Sequence, residues 1–252
     1  MENLNVIIHG FGQLGKATAQ LAGASGMAVV AAIDTSADAS MPFPVFKSLD
    51  ECKMQADVII DCSHAAAVSA LVDAAAEREI PLVICTTGLD EKTLKNIEEK
   101  SGTFPIFLSS NMSLGVNLVS KLAADATTVL DGAGFDIEII EAHHNKKMDA
   151  PSGTAIMLAK SINDAANGKF NYVHDRSKVF QKRGENEIGI SAIRGGTIVG
   201  EHTIIFAGQD EIIEITHKAA SRDIFAKGAL AAARFIKNKP AGLYNMNNLL
   251  NE

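Results

Sequence analysis

Residues 141–155 read EAHHNKKMDAPSGTA and combine proton-transfer groups with an anion-binding turn. His143 and His144 are adjacent, and Lys147 follows His143 by four positions. A lysine is protonated near neutral pH, so Lys147 is a candidate general acid, with His143 as a second acid/base group. Pro151-Ser152-Gly153-Thr154 has the composition of a helix start. Pro151 shapes the entry, Ser152 caps, and Gly153 lets an anion approach backbone N–H groups. A metal site is the weaker reading, because adjacent histidines point apart and the HExxH spacing is missing. We therefore expect no metal. The chemistry implied is proton transfer to an anionic small molecule.

A second chemical signal lies near the start, where GFGQLG occupies residues 10–15. Gly10 permits a tight turn, Gly12 lets backbone approach a pyrophosphate, and Gly15 allows close helix packing. Phe11, Gln13 and Leu14 belong to the same loop and first helical turn, and complete the expected cofactor cradle. Asp34 ends the next apolar run, 19 residues after Gly15, where a carboxylate can bind an adenosine ribose. It is followed by neutral Thr35 and Ser36, with no Arg or Lys to hold a ribose 2′-phosphate, so NADH is favoured over NADPH. Lys16 is the one nearby cation in the sequence. Two further apolar runs end in DCSH at 61–64 and CTTG at 85–88. Ligands of open α/β sheets sit at such strand ends. Asp61, Ser63 and His64 do not read as a hydrolase triad, because near neighbours in one loop rarely take that geometry and GxSxG is missing.

Both signals need a scaffold. Short apolar runs at 5–9, 28–34, 57–61, 81–86 and 104–108 alternate with helical segments at 13–22, 65–78 and 90–100. That alternation predicts a parallel sheet covered on both faces. Residues 114–130 read as one long helix, 135–142 alternate as a half-buried strand, and Ser152 opens a helix to about 166. Runs at 187–193, 197–206 and 212–217 predict a strand-rich second unit, and 223–238 a final helix that returns to the first. The fold class is α/β: a Rossmann-like doubly wound parallel-sheet domain plus a smaller α+β domain with a mixed sheet. The expected boundaries are 1–112 with 222–252 for dinucleotide binding, and 113–221 for substrate binding and tetramerisation. The tail NMNNLLNE carries little signal.

Composition narrows the class. The 252 residues carry 30 acidic and 23 basic side chains, a net charge of −7, which disfavours a nucleic-acid binder. No apolar run is long enough to span a bilayer, and MENLNVIIHG lacks a basic leader region. Three cysteines without CxxC spacing fit reduced thiols in a cytoplasmic protein.

The 141–155 segment, with GFGQLGK, TTGL at 86–89, SSNMSLGVN at 109–117, RGGTIVGEH at 194–202 and SRDIFAKGAL at 221–230, resembles the 4-hydroxy-tetrahydrodipicolinate (dihydrodipicolinate) reductase family along the whole chain. The resemblance implies NAD(P)H-dependent reduction of a cyclic dicarboxylate in lysine and diaminopimelate biosynthesis. It implies His143 as the acid/base histidine and Lys147 as proton donor. His144, Lys147, Ser152, Gly153 and Thr154 would hold the substrate carboxylates. Thr86, Thr87, Gly88, Ser109, Ser110, Asn111 and Met112 would line the nicotinamide side, and the assembly would be a homotetramer. Three positions depart from the family pattern. Cys85 stands where Gly is frequent, Cys62 where an aromatic residue is frequent, and Thr35 where many members carry a basic residue. The last weakens the case for NADPH. A nicotinamide-sensing protein without turnover would share the first domain, but would not need His143 and Lys147 beside a carboxylate cradle.

Overall fold

The computed structural model describes residues 3–35, 41–177 and 180–252. The chain forms two compact units, one of Met1–Leu114 with Asp223–Glu252 and one of Gly115–Arg222.

The first unit opens with β1 (Leu4–His9), α1 (Gln13–Ala22), a 3-10 turn (Gly23–Ser25), β2 (Met27–Ile33), β3 (Val45–Phe46), β4 (Val58–Asp61), α2 (Ala65–Glu77), β5 (Leu82–Ile84), α3 (Glu91–Ser101) and β6 (Pro105–Leu108). The strands are short and β4 and β5 are buried throughout, as continuous apolar runs require when both sheet faces are covered. Helix α3 begins where the Asp90 side chain accepts from the Thr93 N–H at 2.8 Å.

The second unit contains α4 (Leu114–Leu130), β7 (Asp136–His143), α5 (Gly153–Ala165), β8 (Asn171–Val173), β9 (Glu187–Arg194), β10 (Glu201–Ala207) and β11 (Ile212–Lys218). Its five strands run in the order β11-β10-β7-β9-β8. The β10–β11 and β10–β7 pairs are antiparallel, whereas β7–β9 and β8–β9 are parallel. The sheet is therefore mixed. Ile137, Ile139, Ile188, Ile190, Ile204 and Phe206 point to one face and pack against Val119 and Ala123 of α4 and Ala155, Leu158 and Ile162 of α5. The opposite face exposes Ile140, Ile193 and Ile212.

The chain then returns to the first unit with α6 (Asp223–Ile236), β12 (Gly242–Tyr244) and α7 (Met246–Leu250). The seven-stranded sheet is parallel at every pairing, in the order β12-β6-β5-β4-β1-β2-β3. Alternate residues feed two cores. Val6, Ile60, Val83 and Phe107 meet Ala229, Ala232, Ala233 and Ile236 of α6. Ile7, Ile59, Leu82 and Ile106 meet Val68 and Val72 of α2 and Ile97 of α3. Truncating one of these buried residues to Ala would cost about 2–5 kcal/mol. The small residues of α6 matter for approach: a Cβ at Gly228 would clash with the Met112 carbonyl.

Candidate active site

Within the second unit, the inner face of β7 turns from apolar to ionisable as it reaches its carboxyl end. Ile137 and Ile139 give way to Glu141 and His143 on the same face. Glu141 is fully buried. Its carboxylate lies 2.6 Å from His143 Nδ1, accepts the Ser152 N–H at 3.0 Å, and accepts two Arg194 N–H bonds at 2.7 and 2.8 Å. Burial alone would raise its proton affinity, but Arg194, His143 and the Ser152 N–H outweigh burial and hold the carboxyl below its ordinary value. An ionised carboxylate only accepts, so Nδ1 of His143 carries the hydrogen, which leaves Nε2 as the ring nitrogen able to accept. Gly200 packs against that edge, where an added Cβ would lie 3.1 Å from Nε2.

Ser152 caps α5, accepting from the Ala155 N–H at 3.2 Å. Its hydroxyl also lies 3.1 Å from His202 Nε2. His202 is buried and its ring meets that of His143 edge-on at 5.2 Å. Burial, reinforced by neighbouring His143, pushes the His202 pKa down to about 4, so it is neutral at pH 7. Ser152 is thus engaged on both its backbone and its hydroxyl. It sets the turn, and Gly153, exposed and with no atom within 4 Å of an added Cβ, leaves the open approach. The Ala150–Pro151 peptide is cis.

The loop between β7 and α5 carries the cations. Lys147 Nζ pairs with Asp149 Oδ1 at 2.9 Å, and the ammonium holds that carboxyl below its ordinary value. Arg194 ties the same loop down by donating to the Asp149 carbonyl at 2.6 Å. His144 is half-buried, and its carbonyl accepts the Lys147 N–H at 3.1 Å.

Within the first unit, the carboxyl ends of the parallel strands carry the second site. Gly10 takes φ +83°, and an added Cβ there would crowd the Ser63 backbone. A Cβ at Gly15 would clash with the Gly10 carbonyl, so α1 starts close against the turn. At Gly12 the space is open. The Phe11 N–H donates to Asp34 Oδ2 at 2.6 Å, which joins the glycine loop to the end of β2. Gly10, Phe11, Gly12, Asp34, Thr35 and Lys47 border a cavity of about 490 Å³, within the ~300–1,000 Å³ usual for ligands. These residues fit a dinucleotide: an open Gly12, a helix N-terminus at Gln13 and Leu14, and an acid at the ribose position. Lys16 is exposed on α1 and does not line this cavity, whereas Lys47 does. The reading of Lys16 as the one nearby cation is therefore corrected: β2–β3 pairing brings in a second from farther along the chain. Ser36 lies outside the described residues.

Asp61 organises the neighbouring strand ends. It is fully buried and takes His9 Nδ1 at 2.7 Å, the Ser63 hydroxyl at 2.6 Å and the Thr86 hydroxyl at 2.6 Å. Ser63 and His9 both bind the carboxylate rather than each other, so the group joins β1, β4 and β5 and is not a relay. Thr87 and Gly88 follow as exposed residues. After β6, the Ser109 hydroxyl donates to the Asn111 carbonyl at 2.8 Å and Asn111 Oδ1 accepts the Ser113 N–H at 2.9 Å, shaping the segment through Ser110. Met112 is buried in the α6-side core.

Comparison with known proteins identifies the family. Residues 4–112 match the family model for dihydrodipicolinate reductase, N-terminus, and residues 115–250 that for its C-terminus. The chain belongs to the dihydrodipicolinate reductase family. It is 50% identical over 249 residues to 4-hydroxy-tetrahydrodipicolinate reductase of Caldanaerobacter subterraneus subsp. tengcongensis, with 98% of each chain covered. It is 48% identical to the Clostridium tetani protein of that name, covering 88% of this chain and 87% of the other. A dipicolinate-bound dihydrodipicolinate reductase from Paenisporosarcina sp. TG-14 shares the fold at a TM-score of 0.82 and 24% identity, over 97% and 99% of the two chains. As a member of the dihydrodipicolinate reductase family, the chain is an oxidoreductase with a Rossmann-type domain, of lysine and diaminopimelate biosynthesis.

Several residues of this group carry no signal of their own in the sequence. Glu141, Arg194, Gly200 and His202 lie inside the segments that show the family resemblance, yet it is cross-strand register that brings them together. Glu141 pairs with His202, and His143 with Arg194. One signal was legible: a glutamate on the apolar face of 135–142, two residues before a histidine. Lys47 and Asp149 had no such signal, and Asp61 and Thr86 stood at expected ligand-bearing strand ends without any sign that they join His9. Among the described residues no cluster of three or more His, Cys, Asp or Glu has metal-holding geometry, and no helix there is long and apolar enough to cross a membrane.

Proposed function

We propose that this chain reduces 4-hydroxy-tetrahydrodipicolinate to tetrahydrodipicolinate, with loss of water, using NADH or NADPH. The observation that carries the reading is the Glu141 carboxylate, which joins the ring of His143 to the N-terminus of α5 through the Ser152 N–H. One buried group thereby fixes both a proton-transfer residue and a carboxylate-binding helix end. The first unit is the dinucleotide-binding domain, with Gly10 to Gly15, Asp34, Thr86 to Gly88 and Ser109 to Met112 around the cofactor. The second unit is the substrate domain.

The substrate is a dianion. Gly153 and Thr154 at the start of α5, with His144 and Lys147, hold its carboxylates, while Ser152 keeps the turn in place. Loss of the 4-hydroxyl as water leaves a conjugated imine. A nicotinamide held in the first unit's cavity would supply hydride for ring C4. Lys147 then gives a proton to the enamine carbon that results, and His143 assists. Asp149 holds the Lys147 ammonium until substrate carboxylates compete for it. The cofactor preference is for NADH at least equal to NADPH, because Asp34 is followed by neutral Thr35. The exposed isoleucines of the second unit's outer sheet face support a homotetramer built through residues 187–217, and three free cysteines suit the cytoplasm.

The test couples the chain to the enzymatic condensation of pyruvate with aspartate semialdehyde and follows nicotinamide oxidation. Oxidation that requires both precursors is the expected result. Nucleotide binding without turnover would favour the sensing protein instead.

A further inference from the structure

The adenosine end of the cofactor cavity holds a cation that the linear sequence hides. Strand β3 pairs in parallel with β2, matching Ile33 to Phe46, and the Asp34 N–H donates to the Phe46 carbonyl at 2.9 Å. Lys47 therefore follows β3 at the level where Asp34 and Thr35 follow β2. It borders the same cavity of about 490 Å³ as Gly10, Gly12, Asp34 and Thr35. Its backbone is fixed, since its N–H donates to Glu51 Oε2 at 3.2 Å. Its side chain is exposed, and among the described residues its ammonium forms no ion pair.

Among the described residues that line the cavity, Asp34 and Asp50 are acidic, His9 and His64 are imidazoles, and Lys47 is the cation. A ribose 2′-OH needs only the Asp34 carboxylate as acceptor. A 2′-phosphate in the same place would meet Asp34 unfavourably and would need a cation to offset it. Thr35 cannot provide one, and Lys16 does not line the cavity.

We propose that Lys47 is the cofactor-specificity residue of this chain: its ammonium meets the ribose 2′-phosphate, so that NADPH is accepted beside NADH. The proposal rests on the dinucleotide reading above. It locates the compensating charge on the neighbouring strand, in place of the position directly after the ribose-binding acid.

The test is direct titration of the full-length protein with NADH and NADPH by nicotinamide fluorescence, for the native chain and for Lys47→Gln, Lys47→Arg and Lys16→Gln. Lys47→Gln is expected to weaken NADPH binding by about tenfold or more, the scale of one charge-assisted contact, and to change NADH by less than about twofold. Lys47→Arg should retain NADPH. Competition with 2′-AMP and 5′-AMP should show the same split without the nicotinamide. Equal loss of both dinucleotides, no loss of either, a native chain that binds only NADH, or selective loss in Lys16→Gln would each overturn the proposal. A native chain that binds neither nucleotide would instead overturn the dinucleotide reading itself.

Discussion

Glu141 and His143 lie two residues apart on the same face of β7, and their side chains meet at 2.6 Å. The carboxylate is fully buried and is neutralised by Arg194 through two hydrogen bonds. Removing a partner from a buried pair strands the remaining charge. Glu141→Ala should therefore destabilise the second unit by about 3–5 kcal/mol in urea unfolding. Glu141→Gln keeps the shape but can place an NH₂ against Nδ1, so the ring loses its fixed tautomer. A fall in kcat of about 10²-fold or more, with a displaced pH profile and near-native NADH binding, is expected. Unchanged kcat in a folded variant would remove Glu141 from the working site.

Lys147→Met should lower kcat by ~10²-fold or more, the range for loss of a general acid. Its partner Asp149 is exposed, so folding should be little affected. NADH binding, followed separately by fluorescence, should stay within about twofold, because a lost proton donor changes the chemical step rather than nucleotide affinity. His143→Gln should also be slow and should change the pH dependence. Retention of kcat in Lys147→Met would shift the proton donor to His143.

Thr35→Arg should move preference toward NADPH by about tenfold, since a guanidinium can hold a 2′-phosphate through paired hydrogen bonds. The readout is the ratio of kcat/KM for the two nucleotides. A native ratio strongly favouring NADPH would contradict the reading of Asp34 and Thr35.

The strength of each local signal explains how far the sequence could be read. Helices α1 and α4 begin and end at Gln13–Ala22 and Leu114–Leu130, where the sequence pattern placed them, because ten or more residues carry a clear period. Strands β3, β8 and β12 have only two or three residues each, too few for any period, and all three lie at or near sheet edges. The run 197–206 reads as one strand, yet β10 starts only at Glu201. Its apolar start is used as loop, which seats Gly200 against His143. The Ser152 cap was legible because capping is local. Arg194 and His202 were not, because their partners are 53 and 50 residues away and are set by strand register.

The outer face of the mixed sheet should be an interface between copies of the chain. Among the described residues, helices cover the Ile137–Ile139 face, while Ile140, Ile193 and Ile212 remain exposed at 37%, 51% and 66%. Light scattering should give a tetramer. Charges at these positions, as in Ile193→Lys with Ile140→Lys, should give smaller species with intact secondary structure. A native monomer at working concentration would refute the assembly.

His202 makes an acid-side weakness measurable. Its pKa falls to about 4, so between the unfolded value near 6.5 and that lowered value the unfolded chain binds a proton that the folded chain refuses. Stability contributed by neutral His202 is thus fully present above about 6.5 and declines as pH falls toward 4. The full loss is of order 3 kcal/mol from this residue alone. Facing groups are His143, Glu141, His217 and Lys147. Glu141 acts in a lower window, because its depressed carboxyl keeps its stabilising charge until pH drops below the ordinary carboxylate value. His217, depressed by burial, acts in the same sense as His202. His202→Gln places an amide where Nε2 meets Ser152 and cannot take up a proton. Urea unfolding from pH 7 to 4.5 should then show a shallower decline for His202→Gln than for the native chain, with the two converging in slope above pH 7. Identical slopes throughout would mean that His202 titrates alike in the folded and unfolded chains, and that its burial does not hold it neutral.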